Sequence, residues 1–243
     1  MPRLNSTRSC GSSWPSIARA RALRRGTTQA SISSTPLLDL VPRLSPHLER
    51  PDHLAPYADI LEAFPGGNLR QVVAAPPQHG KTVLTSHAGV KWLSLRPLSY
   101  AYSTYNQDRS DAVARNVRAL AFDAGLGPTG PVREWKVDTG AAFKFTSIGS
   151  ALTGFPLDGG LVVDDPIKDR EEAESKRKRD RAWNWLQEVG LTRLHPGASC
   201  VLMQTRWHVD DLSGRCIKDG WPYLNLRAVS AGEGDPLGRP AGA

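Results

Sequence analysis

Residues 75–82 read Ala75-Pro76-Pro77-Gln78-His79-Gly80-Lys81-Thr82, and the fold class turns on this stretch. It follows the pattern G-x-x-x-x-G-K-[ST], with Ala75 in place of the first glycine. The apolar run Gln71–Ala75 precedes it and a helix-like stretch, Lys81–Leu95, follows. A strand that ends in a Pro/Gly turn and opens a helix is the context in which such a loop cradles phosphates. The N–H groups of the first helical turn point at the anion, and the helix dipole favours negative charge there. In that reading Pro77, Gln78 and His79 form the loop, and Gly80 lets the backbone approach the phosphates. Lys81 reaches the β- and γ-phosphates of ATP, and the Thr82 hydroxyl binds Mg2+.

A loop that hydrolyses its nucleotide also needs a carboxylate at the end of a second core strand for Mg2+, and often another to activate the attacking water. Asp158-Gly159-Gly160-Leu161-Val162-Val163-Asp164-Asp165 supplies both, with Asp164 assigned to Mg2+ and Asp165 to catalysis. Farther on, the buried strand Ser199–Gln204 leads into Thr205-Arg206-Trp207-His208-Val209-Asp210-Asp211-Leu212. Gln204, Thr205 and Arg206 at its tip are candidates to sense the γ-phosphate. His208, Asp210 and Asp211 are read as capping and packing residues, because potential ligands so close together on one turn rarely converge on a metal.

The remaining pattern alternates strand-like and helix-like segments. Ser99–Ser103, Phe143–Ile148, Leu161–Val163 and Tyr223–Val229 are β-prone, while Asn106–Ala124 and Arg170–Leu191 carry helical periodicity. Asn106 is the N-cap of the first of these helices. The expected fold is α/β, with a mainly parallel central sheet flanked by helices.

The chain has 243 residues, 31 Lys+Arg and 24 Asp+Glu, for a net charge of +7. Residues 1–50 hold 8 Arg and 2 acids, and the rest is nearly neutral at 23 basic against 22 acidic side chains. The basic character therefore belongs to a leader. Residues 1–45 are expected to be a Ser/Arg-rich flexible segment, with Arg19, Arg21, Arg24 and Arg25 as candidates for a phosphate backbone. No apolar run reaches the roughly 18–20 residues of a membrane span. Cys10, Cys200 and Cys216 have neither metal-site nor disulfide spacing. A cytoplasmic protein without membrane contact is expected.

With these segments in place, residues 46–243 resemble the large terminase subunit of tailed bacteriophages. The likeness rests on P-H-L-E-R-P-D-H-L, A-A-P-P-Q-H-G-K-T, Y-A-Y-S-T-Y-N-Q-D-R-S, L-T-G-F-P-L-D-G-G-L-V-V-D-D-P-I-K-D, A-W-N-W-L-Q, L-T-R-L-H-P-G and Q-T-R-W-H-V-D-D-L, in that order. The resemblance implies an ASCE-type P-loop ATPase over residues 46–230, in which another strand separates the phosphate strand from the one carrying Asp164 and Asp165. It implies a Mg2+-ATP motor that pumps viral DNA into a procapsid. Its partners would be double-stranded DNA, the portal protein and the terminase small subunit, with a ring of its own copies. Residues 231–243 would begin the linker to a nuclease domain, so ATPase without nuclease activity is expected.

Two departures bear on catalysis. Many relatives have Arg where this chain has Gln78, so the positive charge must come from elsewhere. Arg193, Arg206 or a neighbouring subunit's arginine are the candidates, and such an arginine is worth about 10³–10⁵ in rate. Asp165 stands where many ASCE enzymes use Glu, one methylene longer. The block Lys176-Arg177-Lys178-Arg179-Asp180-Arg181 is read as an exposed face paired with Glu172 and Glu174. The alternative functions are an idle prophage remnant that binds nucleotide or portal, and a helicase-like or repair ATPase.

Overall fold

The computed structural model describes residues 29–243. Most of the expected leader, including Arg19, Arg21, Arg24 and Arg25, lies outside the described residues. Seven strands form one mixed, mostly parallel sheet flanked by helices. They are β1 (Arg70–Ala74), β2 (Ser99–Thr104), β3 (Glu134–Lys136), β4 (Ala142–Ser147), β5 (Gly160–Asp164), β6 (Ser199–Gln204) and β7 (Tyr223–Asn225). The order across the sheet is β3-β4-β2-β5-β6-β1-β7, and β3 alone pairs antiparallel. β6 pairs with β1 on one side and β5 on the other.

The central strands β5 and β6 are buried along their whole length because both faces are covered, as parallel sheets require. Successive side chains alternate between two cores. Val73, Tyr100, Tyr102, Val162, Val201 and Met203 face one, and Val72, Ala101, Leu161, Val163, Cys200 and Leu202 face the other. The first core is roofed by α4 (Lys81–Leu95) and α5 (Gln107–Asp123). The second is closed by α7 (Lys176–Trp185), α8 (Leu212–Lys218) and the loop through Leu152 and Leu157.

α4 is buried on nearly every side, since Leu84, Ala88, Trp92 and Leu93 meet the core while Ser86, His87 and Lys91 lie under further chain. Part of that cover comes from residues expected in the flexible leader. α1 (Gln29–Ser34), α2 (Leu37–Leu44) and α3 (Ala55–Glu62) pack on α4, and Ile32, Leu37, Leu40 and Val41 are core residues. The expected boundary at residue 45 is therefore corrected: among the described residues, Gln29–Leu44 belong to the folded domain. Their apolar side chains bury surface against α4, and Lys91 ties them down through Thr35 O (2.7 Å) and Glu62 Oε1 (2.6 Å). Glu62 Oε1 also accepts the Leu37 N–H at 2.6 Å.

One further expectation changes. The helix expected over Arg170–Leu191 breaks at Ser175 into α6 (Arg170–Glu174) and α7, followed by a wide turn over Leu186–Gly190. The break frees carbonyls at the end of α6, and the Arg179 guanidinium takes those of Ala173 (2.6 Å) and Glu174 (3.0 Å). Residues 231–243 loop back onto residues 227–230: Ser230 and Ala243 are bonded through the backbone, and Arg239 donates to Arg227 O at 2.7 Å. No helix among the described residues is long and apolar enough to cross a membrane.

Candidate functional site

The parallel strands β1, β2, β5 and β6 all present their carboxyl ends at one edge of the sheet, where ligands bind in open α/β folds. A cleft of about 420 Å3 opens there, lined by Pro77, Gln78, His79, Gly80, Lys81, Thr82, Val83, Arg109, Asp165, Lys168, Thr205 and Trp207. Every residue expected in the phosphate loop from Pro77 to Thr82 therefore faces it.

The loop's backbone explains its residue types. Gly80, with φ of 78°, is the left-handed residue that turns the chain into α4. Gln78 holds φ of 61°; a non-glycine residue in this region stores strain of the kind that collects at ligand sites. Lys81 is 5% exposed, and its Nζ donates to Ala75 O (2.8 Å), Pro76 O (2.9 Å) and Thr205 Oγ1 (3.2 Å). Burial lowers its pKa, and the charges of Asp165 and Asp164 pull it back up.

Asp164 and Asp165 end β5 beside this loop. The Thr82 hydroxyl donates to Asp164 Oδ2 at 2.7 Å, and the Tyr102 hydroxyl donates to the same oxygen. Asp164 is 1% exposed. Burial, and then the charge of Asp165, push its pKa up to about 6 against the hydrogen bonds from Tyr102 and Thr82. Its other oxygen, Oδ1, is buried and has no partner among the described residues. A buried carboxylate oxygen left open beside a threonine hydroxyl is a hard-oxygen donor set for Mg2+, which takes only one or two protein ligands and completes its shell with phosphate and water. The residues present thus fit Mg2+, although no group of three His, Cys, Asp or Glu that could hold a metal occurs among the described residues.

Asp165 adopts φ of 42° and its Oδ1 accepts the Thr205 N–H at 2.8 Å. The tip of β6 therefore holds the second carboxylate while Thr205 Oγ1 holds Lys81. Gln204 is buried beside Ala74, with Oε1 unpartnered among the described residues, and does not line the cleft.

The two expected arginines lie elsewhere. Arg206 donates to Asp211 Oδ2 at 2.8 Å and to the carbonyls of His208 and Val209, so it clamps its own turn. Asp211 also caps α8 through the Gly214 N–H at 2.8 Å. Arg193 is exposed and precedes the amino end of β6, the opposite edge of the sheet from the cleft. Neither lines the cleft. His208 accepts the Asp210 N–H, and Asp210 pairs with Arg215 at 2.8 Å, so this segment is a capped and ion-paired turn. The basic block is also largely paired: Lys176 with Asp180, Lys178 with Glu172, and Arg179 with Asp210. Glu174 contributes a carbonyl rather than its carboxylate.

Arg109, Lys168 and Trp207 in the cleft lining and Tyr102 on Asp164 join the site only through the tertiary structure. The Asn106 cap, whose Oδ1 accepts the Arg109 N–H at 2.9 Å, was the available signal for Arg109. It places that residue in the first turn after β2, at the sheet edge that holds the cleft. Comparison with models of known protein families gives no match, and comparison with the curated proteins gives none.

Proposed function

We propose that this domain is the Mg2+-ATP-hydrolysing motor of a phage terminase large subunit, driving viral DNA into a procapsid. The observation that carries the ATPase reading is the meeting of Lys81, Thr82 and Asp165 at one cleft, with the buried Asp164 bonded directly to Thr82 at 2.7 Å. The position of β6 between β1 and β5 supports the ASCE-type P-loop arrangement. The terminase reading draws support from Lys168 of D-D-P-I-K-D and Trp207 of T-R-W-H-V-D-D-L, which both line the cleft. Double-stranded DNA, the portal, the small subunit and a homo-oligomeric ring are the partners proposed with it, in a bacterial cytoplasm.

Each residue then has a defined task. The N–H groups at the start of α4 bind phosphate oxygens, and Lys81 exchanges its loop carbonyls for them. Thr82 and Asp164 hold Mg2+, which when bound neutralises the phosphate charge. Asp165, fixed by the Thr205 N–H, orients the attacking water and accepts its proton.

The test is ATP hydrolysis by the purified chain with Mg2+, with and without double-stranded DNA, beside Lys81→Ala and Asp165→Ala. Turnover should fall by roughly 10²-fold or more in either variant, the worth of general-base and phosphate-binding groups, and DNA should stimulate the native chain. Failure to bind nucleotide would overturn the ATPase reading. DNA-strand separation would replace packaging with the helicase-like alternative, and binding without turnover would favour the idle remnant.

A further inference from the structure

Resting on the nucleotide reading of the cleft, we propose that Arg109 contacts the terminal phosphate of the bound nucleotide from the side opposite the 75–82 loop. It supplies in this chain the positive charge that Gln78 lacks, and it makes the cleft select a triphosphate over a diphosphate.

Three observations lead there. First, Arg109 lines the cleft, and its guanidinium has no hydrogen bond or ion pair among the described residues. The other cleft cations are engaged: Lys81 has three acceptors, and Lys168 lies 3.7 Å from Asp169. Several arginines elsewhere in the domain, Arg133, Arg179, Arg206 and Arg215, are ion-paired. An unpaired guanidinium facing a cleft presents five donors in a planar fork, which matches phosphate oxygens.

Second, the position is set by backbone rather than by a flexible loop. Asn106 caps α5 and bonds the Arg109 N–H, so the Cα is fixed while the side chain stays free. Third, the sheet order puts Arg109 on the correct flank. The loop extends from β1 and α5 follows β2, with β6 and β5 between them, about 14 Å apart at ordinary strand spacing. Asp164 and Asp165 lie between those flanks, and the charge of Arg109 is felt at Asp164. A nucleotide with its β-phosphate on the loop presents only its terminal phosphate toward Asp165 and Arg109.

The experiment compares the affinities of a non-hydrolysable ATP analogue and of ADP, each with Mg2+, for the native chain, Arg109→Gln, Arg109→Lys and Lys81→Ala. Arg109→Gln should weaken the triphosphate by about 10- to 100-fold, as expected for charge-assisted hydrogen bonds, and leave ADP unchanged. Arg109→Lys should retain part of the preference. Thermal melting should not move, because the cap uses the backbone of residue 109. Equal losses for both nucleotides, or no loss, would overturn the assignment. Lys81→Ala losing both nucleotides while Arg109→Gln loses neither removes Arg109 alone. If the native chain binds neither nucleotide, the nucleotide reading fails and this role fails with it.

Discussion

Glu62→Ala should destabilise the domain by more than a surface carboxylate would. Lys91 lies in the helix that opens at the phosphate loop, and its side chain is 8% exposed. Its charge is met by Glu62 Oε1 at 2.6 Å and by Thr35 O at 2.7 Å. Removing Glu62 strips a charge-assisted hydrogen bond of about 1.5–3 kcal/mol and the Leu37 N–H bond of about 1 kcal/mol. Breaking a fully buried pair by deleting one partner costs about 3–5 kcal/mol. Glu62 keeps 35% of its side chain exposed, so water recovers part of that. The expected loss is about 2–3 kcal/mol, or a fall in Tm of about 4–12 °C for a chain of this size. Urea unfolding and thermal melting of Glu62→Ala, Lys91→Met and the double variant measure it. The double variant should recover about 1–2 kcal/mol relative to additivity, since the stranded cation is gone. Glu62→Gln keeps an acceptor for both donors and should lose only about 1 kcal/mol. A Glu62→Ala variant within about 0.5 kcal/mol of the native chain, or strict additivity with Lys91→Met, would refute the idea that this ion pair docks residues 29–44 on α4.

Gly160→Ala should be severe: φ is +147° and a Cβ there would stand 2.6 Å from Ser199 O and from the Phe64 ring, so a loss of roughly 3 kcal/mol or more is expected in denaturant unfolding. A loss under about 1 kcal/mol would show that β5 and β6 are not packed as described. Asn106→Ala removes the cap of α5 and should cost about 1 kcal/mol, read by urea midpoint. Asp210 is held down to about 2, first by its hydrogen bond from Arg215, against an ordinary value of 3.8. A depressed folded pKa adds stability above the ordinary value, and that stability is lost as pH falls toward the folded value. The stability advantage of the native chain over Asp210→Asn should therefore be constant near neutrality and shrink below about pH 4. An advantage that grew on acidification would contradict the Arg215 pair.

What could be read from the chain alone was whatever depends on neighbours in sequence. Lys81–Leu95 is a helix from its first to its last expected residue, and Ser199–Gln204 is a strand over its expected length. Asn106 caps its helix, because capping is a contact across three residues. The apolar run before Asp164 identified β5, and the strand-turn-helix context identified the 75–82 loop. The readings that changed all depend on distant partners. Gln29–Leu44 looked like a tail because it continues a stretch rich in Ser, Thr and Arg, and only α4 shows what its apolar residues cover. The break at Ser175 depends on Arg179 reaching back to the freed carbonyls. Arg206 looked like a cleft residue from its place after β6, and Asp211 holds it away. Arg109 showed no chemistry in sequence and entered the cleft when parallel pairing brought the carboxyl ends of β2, β5, β6 and β1 to one edge. Local patterns decide which segments are helix or strand, since backbone preference and periodicity are properties of short stretches. Which charges meet is decided only when the sheet order sets residues far apart in the chain side by side, within the few ångströms over which hydrogen bonds and ion pairs act.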